Sequence, residues 1–160
     1  MTWRAGARRE GGFDEASPVV IRDELEVKAP PARVWDELTS VERWARWHRG
    51  VGFAVLRGPL EPGTPLLWRV DGMRVSSILV EVEKGHRIGW TIRTLGGRGY
   101  QRWILESLPS GHTLVKLEES WNGFVVWFLR RTLRRTLERS RAEWLEGLQR
   151  ESLSGGEGTG

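Results

Sequence analysis

The side chains with chemistry to offer are few, and two of them fall opposite one another. Gln101 and Glu119 lie on consecutive strand-like segments, Tyr100–Leu108 and Thr113–Trp121. If Glu106, Lys116 and Glu118 face water, alternation sends Gln101, Trp103 and Leu105 inward from one segment and Val115, Leu117, Glu119 and Trp121 inward from the next. An amide and a carboxyl on one inward face can pair across the strands and orient a hydroxyl or carbonyl. A carboxyl enclosed there has its pKa raised and can serve as general acid or base. The plainer alternative puts Glu119 at the rim of the sheet, solvated or paired with an arginine. The three histidines, His48, His86 and His112, stand at a helix end and beside turn glycines, where they read as surface residues. No His and acid spacing suggests a metal site, and none is expected. The chain has no Cys, which excludes disulfides, zinc thiolates and thiol nucleophiles.

The elements that must position this pair can be read in order. Val19–Ala29 alternates as a first strand, and Pro30 and Pro31 end it. Ala32–Thr39 and Val41–His48 read as two short helices, with Ser40 a candidate cap between them. Six further strands follow: Val51–Arg57, Pro65–Val70, Met73–Glu83, Arg87–Leu95 and the two that carry Gln101 and Glu119. Asp71-Gly72 is a hairpin dipeptide, and the other connections are short, so the strands form an antiparallel meander. Leu66, Trp68 and Val70, and Ile88, Trp90 and Ile92, are further inward rows. Last comes a long amphipathic helix from Gly123 to about Arg150, on the order of 40 Å, with Val126, Leu129, Leu133, Leu137, Trp144 and Leu148 in one stripe. The expected fold is α+β: a seven-stranded curved antiparallel sheet with two short helices after the first strand and a long C-terminal helix across it. Residues 1–18 read as a disordered arm, 19–151 as one domain and 152–160 as a disordered Gly-rich tail.

With 160 residues, 39% hydrophobic and 29% charged, the chain is an ordinary size for one core, but 10 Trp against 4 Phe and 1 Tyr is not an ordinary aromatic choice. Indoles suit the wall of a cavity as well as a core. The net charge of +4 rests on arginine, since Lys28, Lys84 and Lys116 are the only lysines. Arg130, Arg131, Arg134, Arg135, Arg139 and Arg141 crowd the long helix, either as a solvated face or as a dock for an anionic membrane or an acidic carrier protein. No nucleic-acid-binding motif accompanies the charge, which argues against DNA or RNA. No apolar run suggests a signal peptide or a membrane span, so a cytoplasmic location is expected.

The run Glu26-Val27-Lys28-Ala29-Pro30-Pro31-Ala32-Arg33-Val34-Trp35-Asp36 with Val41-Glu42-Arg43-Trp44, and the stretch Glu119-Ser120-Trp121-Asn122-Gly123, resemble the START-like or SRPBCC superfamily, in its polyketide cyclase/dehydratase and lipid-transport branch. The resemblance spans about Ile21 to Glu151 and implies a helix-grip fold. It also implies a deep cavity between sheet and helix that takes an apolar small molecule, with Trp35, Trp44 and Trp47 around its mouth. Related aromatase/cyclases use a pocket arginine on an enolate or carbonyl, which would fall to Arg69, although alternation turns Arg69 outward if Trp68 points in. The first expectation is therefore a binder, not an enzyme, needing no cofactor. It would hold a lipid- or polyketide-like molecule through Trp35, Trp47, Trp68, Trp90, Gln101, Trp103, Leu105, Leu117, Glu119, Trp121, Trp127 and Phe128. The alternatives are a polyketide aromatase/cyclase or dehydratase using Glu119, Gln101 or Arg69, and an interaction module of the Hsp90-activator type.

Overall fold

The strands are β1 (Val19–Val27), β2 (Val51–Leu56), β3 (Pro65–Val70), β4 (Met73–Glu83), β5 (Arg87–Thr94), β6 (Gly97–Ser107) and β7 (Thr113–Asn122). They form one antiparallel sheet in the order β1-β7-β6-β5-β4-β3-β2, in a computed structural model that describes residues 12–154. Six strands run as the expected meander, and β1 closes onto the last of them. Asp71 and Gly72 take φ of 50° and 79° at the β3–β4 turn, the left-handed pair that a two-residue hairpin requires. Register shifts at Val51/Phe53 and Leu79/Glu81 mark bulges, which bend strands and strengthen their twist.

The crossover from β1 to β2, at opposite edges of the sheet, is made by α1 (Pro31–Thr39), one 3-10 turn (Val41–Arg43) and α2 (Trp44–Trp47). The second expected helix is thus half 3-10. The expected C-terminal helix is two: α3 (Phe124–Phe128) and α4 (Arg130–Ser154), broken at Leu129. The break follows from what the stripe serves. Val126 is buried against the β5–β6 hairpin, close to Gly97, whereas Leu133, Leu137, Trp144 and Leu148 pack toward the main core, and Leu129 between them is exposed. One straight rod does not reach both surfaces.

The ends of the chain also depart from expectation. Within the arm, Asp14 accepts from Asn122 Nδ2, Ser17 Oγ does so at 2.6 Å, and the Phe13 ring lies 4.8 Å from the Arg102 guanidinium, so this part of the arm is packed on the sheet's outer face. At the other end α4 runs on to Ser154 with Ser152 buried. Residues 1–11 and 155–160, where the rest of the arm and tail were placed, lie outside the described residues. Among the described residues no helix is long and apolar enough to cross a membrane.

The interior between sheet and helices is centred on tryptophans. Trp144 of α4 meets Trp44 at 5.1 Å, Trp47 at 5.5 Å, Trp68 at 5.9 Å, Trp103 at 6.0 Å and the His48 ring at 4.2 Å. Trp44 in turn meets Trp90 at 5.4 Å. Most of these pairs are edge to face, a geometry worth about 0.5–1.5 kcal/mol each beyond the area buried. Where the sequence suggested indole walls around a hollow, these indoles pack against one another. Leu133 and Leu137 are partly buried against the same core, and Trp90 of the indole cluster is the cross-strand partner of Gln101.

Candidate functional site

Gln101 and Glu119 are direct partners in the β6–β7 register, both on the face that bears the buried Trp103 and Leu117. Gln101 Nε2 donates to Glu119 Oε1 at 2.8 Å, and Trp121 Nε1 donates to Oε2 at 3.0 Å. The second bond depends on a glycine. Trp121 is opposite Gly99, and a Cβ at Gly99 would sit 2.8 Å from Trp121 Cδ2, so only a bare backbone lets the indole lie across β6. Two short patterns, Gly99-x-Gln101 and Glu119-x-Trp121, therefore build the cradle for one carboxyl.

That carboxyl is 4% exposed. Burial pushes its pKa above the ordinary carboxylate range, and the bonds from Trp121 and Gln101, then the charge of Arg141, pull it part of the way back. The rim alternative for Glu119 is excluded by this burial. Arg141, read from sequence as one of a solvated crowd, is 5% exposed and turned inward from α4. Its Nη1 is 3.8 Å from Asp23 Oδ2 on β1, and its Nε and Nη1 have no hydrogen-bond partner among the described residues. Gln101 Oε1, Trp90 Nε1 and Trp103 Nε1 are likewise buried without partners there. The row Trp90, Gln101, Glu119 crosses β5, β6 and β7 in register, with Arg141 beside it. Such a row can donate to a carbonyl, accept from a hydroxyl, stabilise an enolate and exchange a proton at Glu119.

The remaining expected residues scatter. Trp68, Trp90 and Trp103 belong to the indole cluster, where Trp68 Nε1 donates to Ser77 Oγ at 3.0 Å. Leu105, Leu117 and Trp35 are buried in the same core. Trp47 borders a surface depression of about 240 Å³ with Arg49, Glu143, Glu146 and Arg150, a charged cleft that lacks any residue of the Glu119 cradle and suits water better than an apolar guest. Trp127 and Phe128 are not interior at all, being 53% and 66% exposed on α3. Arg69 does not join Glu119. It is opposite Arg74 and Phe53, on the face away from the buried Trp68, with its guanidinium 5.9 Å from the Phe53 ring. His48, expected at the surface, is buried; its Nδ1 accepts from the Gly50 amide at 3.1 Å, and burial lowers its pKa against the opposing pull of Glu143 and Asp71.

A curved antiparallel sheet with two short helices after the first strand and a long helix at the end defines the START-like, helix-grip class. The chain belongs to the polyketide cyclase/dehydrase and lipid transport family, whose model matches residues 18–153. Its fold is thus one built for hydrophobic ligands. Solved structures with this fold include a hypothetical protein from Helicobacter pylori, 20% identical, TM-score 0.76, covering 85% of this chain and 89% of that one. An aromatase/cyclase from a Streptomyces species is 15% identical, TM-score 0.74, over 84% of this chain and 93% of that one. A START superfamily protein from Mycobacterium smegmatis is 12% identical, TM-score 0.71, over 84% and 97%. At such identities the likeness is one of fold. Comparison with curated proteins finds no match.

Proposed function

We propose that this protein binds an apolar or aromatic small molecule carrying a carbonyl or hydroxyl, of lipid- or polyketide-like chemistry, between β6, β7, β1 and the first half of α4. The observation that carries the reading is the buried polar row. In an apolar interior the Gln101 amide oxygen without a partner, and the Arg141 Nε and Nη1 with no hydrogen bond beyond the long ion pair to Asp23, are costly, at roughly 1–3 kcal/mol per unmade bond, and a guest with one oxygen function in reach offsets that cost. Leu133 and Leu137, two turns and one turn before Arg141 on α4 and only partly buried, are the apolar side chains that would cover the guest.

A second reading, a cyclase or dehydratase, is favoured by the raised pKa of Glu119 beside Arg141, an acid and a cation at one place. One experiment addresses both. Fluorescence titration with the naphthyl ketone prodan, alongside native mass spectrometry of the purified protein, reports binding. Arg141→Met is expected to weaken the ketone by roughly tenfold or more, the worth of a hydrogen bond to a charged group, while Trp127→Ser leaves it unchanged. Affinity indifferent to Arg141 removes the interior site. Should Glu119→Gln abolish turnover of a poly-β-ketone analogue but keep binding, the enzyme reading gains; equal turnover removes Glu119 from any mechanism.

A further inference from the structure

Of the residues of α3 only Val126 is buried. A Cβ on Gly97 would stand 3.0 Å from Val126 Cγ2, so the bare backbone there lets the helix sit down on the β5–β6 hairpin, while Gly96 is set by its φ of 103° and meets Val125 at ordinary contact distance. The consequence is an outward-facing apolar ridge. Phe124, Val125, Trp127, Phe128 and Leu129 are exposed along α3 and the break after it, and Leu95 is fully exposed at the abutting hairpin tip. The Phe124 and Phe128 rings stand 5.5 Å apart, and Arg130 stacks over Trp127 at 5.0 Å. Within these segments the charge has one sign, with Asp14 held on Asn122, the cross-strand partner of Arg98, at their margin. Arg93 and Arg98 flank the hairpin tip as cross-strand partners, and Arg130, Arg131, Arg134 and Arg135 are exposed on the first turns of α4. Residues 93–98 and 123–137 contain no Asp or Glu at all.

We infer that α3, the β5–β6 tip and the first turns of α4 form a dock for an anionic lipid bilayer, the apolar ridge entering the headgroup layer and the six arginines meeting its charge. Charge complementarity selects this occupant. A second copy seated ridge to ridge would set six arginines against six, with no acid within either segment to pair them. The chain's own residues 1–11 bring Arg4, Arg8 and Arg9 against Glu10, so they add to the positive charge and do not neutralise it. A bilayer offers what both lack: a negative surface over an apolar layer, matched by aromatic side chains with arginines beside them. The site is distinct from the buried row around Glu119 and stands whether or not the interior takes a guest.

Flotation with vesicles of phosphatidylcholine alone, and of equal phosphatidylcholine and phosphatidylglycerol, tests the dock. The protein is expected on the mixed vesicles, to be released by high salt, and absent from the neutral ones. Arg130→Gln with Arg134→Gln lowers partitioning roughly thirtyfold, from the usual contribution per arginine at an anionic surface. Trp127→Ser with Phe128→Ser lowers it roughly tenfold or more by removing insertion. All four positions are exposed, so unchanged far-UV circular dichroism is expected in both variants. Indifference to vesicle charge overturns the inference, as does failure to bind the mixed vesicles. Binding that survives loss of Trp127 and Phe128 does so too, because the face would then be a general polyanion surface. A concentration-dependent dimer in sedimentation velocity that Trp127→Ser abolishes assigns the ridge to self-association instead.

Discussion

Glu119 links protonation to folding. Its folded pKa is raised above the ordinary 4.5, so between that pH and the raised value the folded chain keeps a proton that the unfolded chain has released. Stability therefore falls as pH rises through that window, by up to about 1.4 kcal/mol per pH unit. His48 acts in the opposite sense. Its folded pKa lies below 6.5, so the unfolded chain takes up a proton first, and stability falls as pH drops below 6.5. Comparison of the native protein with Glu119→Gln isolates the carboxyl, because His48 is common to both. Urea midpoints measured from about pH 4 to 8 are expected to fall in the native protein relative to the variant as pH rises. Parallel curves would mean that Glu119 titrates as an unfolded residue does. At this scale the sequence was legible where register is simple: Gln101 and Glu119 share a face by alternation alone. Arg141 was not, because it stands among five other arginines. The available signal was its place, four residues after Leu137 and three before Trp144, in the gap of the apolar stripe.

Among the elements, α4 is held by a close crossing with α2. A Cβ at Gly147 would stand 2.9 Å from Trp47 Cε3 and against the Trp47 carbonyl oxygen. Helix propensity favours Gly147→Ala by about 1 kcal/mol, whereas overpacking at a close contact costs about 1–3 kcal/mol. The contact is with backbone, which yields little, so the substitution is expected to destabilise the protein despite the better helix former. Thermal denaturation decides the sign, and a raised Tm would show that α2 moves aside. The break at Leu129 was not legible, because Val126, Leu129 and Leu133 keep helical spacing straight through it. Spacing reports a face, and it does not report that the face serves two surfaces.

For the whole molecule, Trp144 joins α4 to the sheet and to α2 at once, whereas Trp127 joins nothing in the interior. The same residue type should thus have two fates. Trp144→Ala is expected to cost about 3–5 kcal/mol, a large part of a normal domain's stability, and Trp144→Phe less. Trp127→Ala is expected to stay within about 0.5 kcal/mol, as exposed substitutions do. Equal urea midpoints for the two alanine variants would contradict the placement of Trp144 inside the core and Trp127 outside it. What the sequence by itself determined was everything governed by local period and parity: the strand count, the hairpin at Asp71-Gly72, the inward rows and the Gln101–Glu119 pair. Only tertiary structure decided which indoles fill space and which face water, that Arg141 turns inward, and that Trp127 and Phe128 form an outer ridge. Those outcomes depend on how far one element stands from another, a distance set by packing across the fold and carried by no short run of residues.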